Sequence, residues 1–160
     1  MQNEEILASL NPAQQEAVRT TKGALLVVAG AGSGKTRALT HRIAHLIASG
    51  ISPYNIIAVT FTNKAAGEMK TRIREILENS SALPTIGTFH SICVQILRRE
   101  IQHLGRDSNF LIYDDTDQKL LMKQIFKEKN IDAKEINPRA VLSMISSAKS
   151  QMISPKAFVS

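Results

Sequence analysis

The sequence predicts an α/β fold with a parallel sheet, and three observations favour this class. First, apolar, β-branched runs at residues 24–28, 56–61 and 85–88 have the length and composition of buried strands. Second, each run is followed by a stretch with apolar residues at helical spacing. Third, the two kinds of segment alternate along the chain, as they do when helices connect parallel strands. In such sheets ligands bind at the carboxyl ends of the strands.

Composition limits the class of protein further. The 160 residues have room for one domain, or for one domain and part of another, and 43% of them are hydrophobic. The net charge of +6 favours a polyanionic partner, although a solvated basic surface is the alternative. The single cysteine, Cys93, excludes an internal disulfide and indicates a reducing cytoplasm. Because its neighbours are apolar, we expect its side chain to be packed. The scattered histidines predict no metal cluster, and no apolar run approaches the ~20 residues of a membrane span.

A glycine-rich stretch, Ala-Gly-Ala-Gly-Ser-Gly-Lys-Thr at residues 29–36, lies between the first predicted strand and a predicted helix over 34–49. This order is that of a P-loop, in which small residues let backbone N–H groups turn towards phosphate oxygens. Lys35 is then placed to reach the β and γ phosphates, and Thr36 to ligate Mg²⁺. The strict pattern has glycine where this chain has Ala29, a small variant. The alternative is a glycine-rich turn that binds no ligand.

Residues 10–18 predict another helix. Asn11 suits the N-cap, Pro12 the first helical position, and Gln14 stands three residues after the cap. Gln14 therefore has two candidate roles, which the sequence does not separate. It closes a capping box, or it reads an adenine edge, which requires a donor and an acceptor side by side.

Four further helices are predicted from apolar spacing, with a loop over 79–84. In the second of them, Ile92, Ile96 and Leu97 are expected to face inward. After Gly105 no strand pattern follows, which indicates a helical insertion or a second domain. The four helices are predicted over about 64–78, 89–104, 116–129 and 138–151.

Four blocks in series, at residues 10–18, 29–36, 59–66 and 85–91, resemble the N-terminus of superfamily 1 DNA helicases of the UvrD/Rep/PcrA type. In that family they correspond to the Q motif and to motifs I, Ia and Ib. The residues from 109 onward are similar to the start of the family's helical 1B insertion. The resemblance implies a RecA-like P-loop NTPase sheet, part of domain 1A, over residues 1–108. It implies the beginning of subdomain 1B over residues 109–160.

The resemblance also implies a function. It is that of an ATP-driven motor, a helicase or translocase that moves 3′ to 5′ on single-stranded DNA in repair or replication. ATP and Mg²⁺ would be its cofactors, and single-stranded or 3′-tailed duplex DNA its partner. Gln14 would read adenine, Arg37 would flank the base, and Lys35 and Thr36 would serve catalysis. The implied nucleotide-binding residues are Gln14, Ala29, Gly30, Ala31, Gly32, Ser33, Gly34, Lys35, Thr36 and Arg37, with Thr36 on Mg²⁺, and the implied DNA-binding residues are Phe61, Thr62, Asn63, Lys64, Thr88 and His90.

Simpler structural roles exist for some of these residues. Phe61 is also suited to a core position at a strand end, and Asn63 to the N-cap of the following helix. His90, near a helix start, has the alternative of an ordinary surface or core histidine. As DNA contacts, Phe61 offers a face for base stacking, whereas Thr62 and Asn63 offer uncharged hydrogen bonds to phosphate.

Several parts needed for hydrolysis are not identified in this sequence, which includes neither the family's later Asp-Glu pair nor the arginines of its second RecA-like domain. We therefore expect an N-terminal piece that lacks the rest of 1B and domains 2A and 2B, and that neither unwinds DNA nor turns over ATP alone. Residues 110–115 offer an alternative, because four apolar residues followed by Asp114 and Asp115 resemble a Walker B strand. That would make the chain a self-contained small P-loop NTPase or kinase, although these acids can equally cap a helix. A non-catalytic module that binds single-stranded DNA is a third class.

Overall fold

The computed structural model describes residues 2–78 and 82–159 and divides the chain into two compact units, with the boundary between Ser108 and Asn109. Two short 3-10 helices lie at Pro53–Asn55 and Ile101–Leu104 in the described residues. The other elements of the described residues are α1 (Gln2–Ala8), α2 (Pro12–Arg19), α3 (Lys35–Ala48), β1 (Ile57–Thr60), α4 (Asn63–Ile76), β2 (Thr85–Thr88), α5 (Phe89–Glu100), α6 (Asp115–Glu128), α7 (Pro138–Ser150) and α8 (Pro155–Val159).

A parallel sheet lies in the first unit, as the alternating pattern predicted. Strands β1 and β2 pair in parallel, in a register that joins Ile57 to Thr85 and Thr60 to Thr88. Helix α4 connects the two strands. Because the last residues of both strands are paired, the chain leaves both strands at the same edge of the sheet.

The core of this unit joins the sheet to three helices. Ile73 on α4 is fully buried, and Ala44 on α3 is equally inaccessible. On α4, Ala66, Met69 and Ile73 are buried in this core. The full cluster contains Ile6, Ile43, Ala44, Ala58, Ala66, Met69, Ile73, Leu77 and Ile86.

The prediction of a strand at residues 24–28 is wrong for this structure. The segment joins no ladder among the described residues, and Leu26 and Val28 are each 86% exposed. A strand is defined by hydrogen bonds to a neighbouring strand, and the described sheet consists only of β1 and β2. Apolar composition therefore identified a segment suited to a buried strand, but the flanking strands that would bury it are not in the described residues.

The predicted inward face of α5 is also only partly correct. Ile92 is buried, but Ile96 is 44% exposed and Leu97 is 39% exposed. Cys93, predicted to be packed, is exposed as well. The reason is that α5 meets the sheet through its first turns, where Ile92 lies close to Gly87 of β2. The helix then continues beyond the sheet, so helical spacing alone overstates its buried length.

The second unit is helical, and Met122 and Phe126 on α6 are its buried apolar residues in the part that the structure describes. The predicted loop over 79–84 falls partly outside the described residues, because 79–81 are not among them. No helix in the described part of the chain is long and apolar enough to cross a membrane.

The substitution Ile73→Ala is expected to lower the free energy of unfolding by about 2–5 kcal/mol, because it leaves a cavity where a fully buried side chain stood. The matched control is Ile96→Ala, for which partial exposure predicts a loss below about 1 kcal/mol. Urea denaturation followed by circular dichroism measures both losses. Equal losses in the two variants would mean that Ile96 is packed, against the observed exposure.

Candidate functional site

The glycine-rich loop is held in one shape by hydrogen bonds among its own residues. The Lys35 ammonium donates to the carbonyl oxygens of Ala29 at 2.7 Å and Gly30 at 2.6 Å. The Gly30 carbonyl also accepts from the Ser33 hydroxyl at 2.7 Å and from the Ser33 backbone N–H at 3.4 Å. The lysine therefore closes the loop on itself and brings a positive charge to its mouth.

Two glycines of the loop have a backbone conformation that other residues rarely adopt. The φ angle is +76° at Gly32 and +85° at Gly34, both in the left-handed region. A Cβ at Gly34 would also lie 2.5 Å from Nε2 of Gln14, so the Gln14 amide would have to move away. Gly34 is the N-cap of α3, so the same position fixes both the turn and the start of the helix.

Gln14 links α2 to this loop. Its Oε1 accepts from the Asn11 backbone N–H at 3.2 Å, and Asn11 Oδ1 accepts from the Gln14 backbone N–H at 2.9 Å. The capping box is thus present, and Nε2 of the same amide donates to the Ser33 carbonyl at 3.1 Å. An amide has two N–H donors and two lone pairs on its oxygen. One donor and one lone pair therefore remain, so capping and adenine reading are compatible roles.

The start of α3 is suited to an anion. Its first turn contains no acidic residue, and both Thr36 and Arg37 are exposed there. The unpaired N–H groups of a helix N-terminus attract negative charge, and an Asp or Glu at this point would oppose it. A cavity of about 230 Å³ adjoins this helix start, and its lining includes Asn11, Gln14 and Lys35.

Side chains of α3 also form hydrogen bonds with α2 and with Ser9. The Arg42 guanidinium on α3 donates to the Ala17 carbonyl on α2. At the preceding residue of α3, the His41 ring bonds to the Arg37 carbonyl at 2.8 Å and to the Ser9 hydroxyl at 3.3 Å. Burial lowers the pKa of His41; the hydrogen bond to the Arg37 carbonyl opposes this, and the charge of Arg37 lowers it further. These contacts together favour the neutral form of the ring.

A second group of predicted residues lies together at the carboxyl edge of the sheet. Phe61 follows β1 directly, and Phe89 follows β2, one residue beyond the paired Thr60 and Thr88. Phe61 is 90% exposed, so its alternative role as a core residue is wrong. His90 is likewise exposed, as are Asn63 and Lys64 in the first turn of α4.

The threonines of this edge cap the two helices. The Thr62 hydroxyl accepts from the Ala65 N–H at 3.1 Å, and the Thr88 hydroxyl accepts from the Ser91 N–H at 3.2 Å. The N-cap of α4 is thus Thr62, and the alternative that Asn63 serves as this cap is wrong. Each hydroxyl uses a lone pair in capping and keeps its proton for another acceptor.

Phe89 is not among the residues that the resemblance assigns to DNA, although the segments at Phe61 and Phe89 both permit binding of a single strand. Its ring centroid lies 5.8 Å from that of Phe61, with the ring planes at 50°. The signal available in the sequence was its place between Thr88 and His90, two residues that were included.

The alternative acidic site does not have a strand to carry it. Residues 109–114 form no strand, and Asp114 is the N-cap of α6. Its Oδ1 accepts from the N–H groups of Thr116 at 2.7 Å and Asp117 at 2.8 Å. Asp117 reciprocates by accepting from the Asp114 N–H at 3.1 Å. This carboxylate is engaged in a capping box, as the helix-cap alternative predicted.

Comparison with known proteins agrees with this architecture. The parallel pair, with its connecting helix and a glycine-rich loop that opens α3, is a partial RecA-like domain of the kind found in UvrD-type helicases. A family model described as the UvrD/REP helicase N-terminal domain matches residues 10–160. This chain belongs to that family.

Its relatives include proteins named ATP-dependent DNA helicase PcrA. The protein of Bacillus subtilis (strain 168) is 54% identical over 155 residues, which cover 96% of this chain and 21% of the relative. A Staphylococcus epidermidis relative is 49% identical over 152 residues, covering 94% of this chain and 21% of its own length. A Staphylococcus aureus relative (strain Mu50) is 49% identical over 151 residues, with the same two shares. The chain thus spans about a fifth of the length of these relatives.

The substitution Gly34→Ala is expected to destabilise the chain more than Gly23→Ala does. The φ angles are +85° and +76°, so each alanine carries a similar backbone strain of about 1–2 kcal/mol. Only at Gly34 does the new Cβ meet Gln14, and breaking the Gln14–Ser33 hydrogen bond adds about 0.5–1.5 kcal/mol. Urea denaturation measures the difference.

A double variant isolates the contact. Adding Gln14→Ala to Gly34→Ala removes the side chain that the new Cβ meets, so the combined loss is expected to be smaller than the sum of the single losses. Strict additivity would contradict the contact between these two positions.

Proposed function

We propose that this chain is the N-terminal ATP-binding part of an ATP-dependent DNA helicase, which translocates 3′ to 5′ on single-stranded DNA in repair or replication. The observation that carries this proposal is the closed glycine-rich loop, in which Lys35 bonds to two loop carbonyls beside an α3 start free of acidic residues. Membership of the UvrD/REP family supports the helicase class. The names of its relatives support the dependence on ATP and the action on DNA.

The nucleotide site is assigned to the P-loop and its two neighbours, Gln14 and Arg37. The left-handed glycines and the N-terminus of α3 suit phosphates, and the free donor and acceptor of the Gln14 amide suit an adenine edge. Arg37, exposed in the first turn of α3, would flank the base. The residues in contact with the nucleotide would be Gln14, Ala29, Gly30, Ala31, Gly32, Ser33, Gly34, Lys35, Thr36 and Arg37.

Magnesium fits this site through Thr36. Thr36 is exposed in the first turn of α3, next to Lys35. A hydroxyl and phosphate oxygens are ligands that Mg²⁺ accepts, and bound Mg²⁺ would neutralise the charge of the phosphates. Lys35 would add a second positive charge there. Thr36, through the bound Mg²⁺, and Lys35 would thus both serve catalysis by neutralising the charge of the phosphates.

The DNA track is assigned to the carboxyl edge of the sheet. Phe61 offers an exposed face for a base, and the hydroxyls of Thr62 and Thr88 keep a proton for a phosphate oxygen. Asn63, Lys64 and His90 would add polar and charged contacts from the first turns of α4 and α5. Such contacts position a strand without reading its sequence.

We assign the first compact unit to part of domain 1A and the second to the beginning of subdomain 1B. On this assignment the rest of 1B and domains 2A and 2B would complete the motor, and they account for the share of the relatives that this chain does not span. In the family, the second acidic group would come from an Asp-Glu pair after a later strand, and the arginines from the second RecA-like domain. Direction of movement, the repair or replication setting and the cytoplasmic location stay predictions from the resemblance and the single cysteine.

Binding of MgATP by this chain is expected to depend on Lys35. Lys35→Ala removes a charged hydrogen bond to phosphate worth about 1.5–3 kcal/mol, which predicts about 10- to 100-fold weaker binding. The control is Lys22→Ala, because Lys22 is also exposed but precedes the loop. Titration with a fluorescent ATP analogue measures both. Equal affinities for the wild type and Lys35→Ala would contradict the assigned phosphate site.

ATP turnover by this chain alone is expected to stay at background, with or without single-stranded DNA. Hydrolysis requires an acidic group at the metal, a group that orients water and an arginine against the developing charge, whereas Asp114 is used in capping α6. A phosphate-release assay with ATP, Mg²⁺ and oligo-dT measures the rate.

Two results of this assay would change the proposal. DNA-stimulated release that Lys35→Ala abolishes would contradict the expected inactivity of the chain. Release that Asp114→Asn also abolishes would favour the self-contained NTPase. In binding titrations, DNA binding with no ATP binding would favour the non-catalytic module.

A further inference from the structure

We propose that Phe89 is a positioning residue, which orients the ring of Phe61 so that the two phenylalanines act as one base-stacking unit. The inference rests on the proposed single-strand track and adds to it a residue that the track does not include. It depends on three observations: the strand register, the exposure of both rings and their contact.

The register explains why the two rings meet. Thr60 is paired with Thr88, so the next residue of each strand, Phe61 and Phe89, leaves the sheet at the same level. Their ring centroids are 5.8 Å apart and their planes are tilted by 50°. Aromatic rings at this distance attract one another in tilted arrangements.

Exposure indicates that the pair is directed at a ligand rather than at the core. Phe61 is 90% exposed and Phe89 is 55% exposed. Side chains of this size normally contribute to stability by burial, and this contribution is largely absent here. A tilted contact also leaves the faces of Phe61 open, as its exposure requires.

Phe89 is the better anchored member of the pair. It is the first residue of α5, whose start is fixed by the bond from the Ser91 N–H to the Thr88 hydroxyl. Phe61 lies in the connection between β1 and α4 and is almost surrounded by solvent. An exposed ring loses rotamer freedom when a base stacks on it, and a neighbouring ring that already limits those rotamers reduces this loss.

The ligand of the unit is the base rather than the phosphate. Neither ring carries charge or a hydrogen-bonding group, and stacking on an aromatic face accepts any base. The salt-dependent part of DNA affinity arises from phosphate contacts. A defect confined to the ring pair should therefore lower base-dependent binding and leave the salt dependence unchanged.

The experiment compares binding of this chain to a fluorescent oligo-dT and to an abasic oligonucleotide of equal length, by fluorescence anisotropy at two salt concentrations. The ratio of the two affinities isolates the contribution of the bases. Phe89→Leu is expected to lower this ratio about 3- to 10-fold with an unchanged salt slope. Phe89→Tyr, which keeps the ring, is expected to restore it.

Two further variants complete the test. Tyr54→Leu is the matched control, because Tyr54 is 82% exposed but lies in the 3-10 helix that precedes β1, at the other end of the strand. Phe61→Leu is expected to remove the base preference, and adding Phe89→Leu to it is expected to cause no further loss, because Phe89 acts through Phe61. Unchanged urea midpoints establish that the variants remain folded.

Each contrary result has a distinct meaning. If Phe61→Leu removes the preference while Phe89→Leu leaves it intact, the positioning role is wrong and the proposed track stands. If the two losses add in full, Phe89 stacks on a base of its own and does not act through Phe61. If the wild-type chain binds both oligonucleotides equally, or neither, the track assigned to Phe61 is wrong, and this inference fails with it.

Discussion

The parallel register of β1 and β2 is the constraint on which the rest of the first unit depends. Pairing of Thr60 with Thr88 brings two chain segments to one edge, and each continues directly into a helix. Side chains alternate between the faces of a sheet, so a slip of one residue would turn Ala58 or Ile86 away from the core. Burial of these two residues therefore holds the edge residues in place, although none of the edge residues belongs to the core cluster.

The glycine-rich loop depends on a different set of contacts. Lys35 and Ser33 converge on the Gly30 carbonyl, and Gln14 reaches the Ser33 carbonyl from α2. The absence of a side chain at Gly34 is what lets the Gln14 amide approach. The end of α2 that carries the capping box is thus attached to the loop.

Three side chains of the proposed binding sites also cap helices in this unit. Gln14, Thr62 and Thr88 each satisfy a backbone N–H at a helix start. Each also retains a donor, because amides and hydroxyls have more hydrogen-bonding positions than capping uses. A structural role for one of these residues is therefore no evidence against its proposed role in binding. The exposed phenylalanine pair differs, since little burial accounts for its position.

The sequence by itself determined the helices and the glycine-rich loop, because these depend on residues that are near one another in the chain. Apolar spacing and capping residues predicted α4 to α7 to within a few residues, and the glycine-rich loop was recognisable because left-handed backbone and phosphate chemistry both require small residues. The tertiary structure alone decided what each apolar side chain meets. Residues 24–28 join no ladder among the described residues, Ile96 and Leu97 are partly exposed, and Phe61 contacts Phe89 at the sheet edge. Burial and pairing depend on neighbours that are distant in the chain, and residue spacing contains no information about which of those neighbours are present.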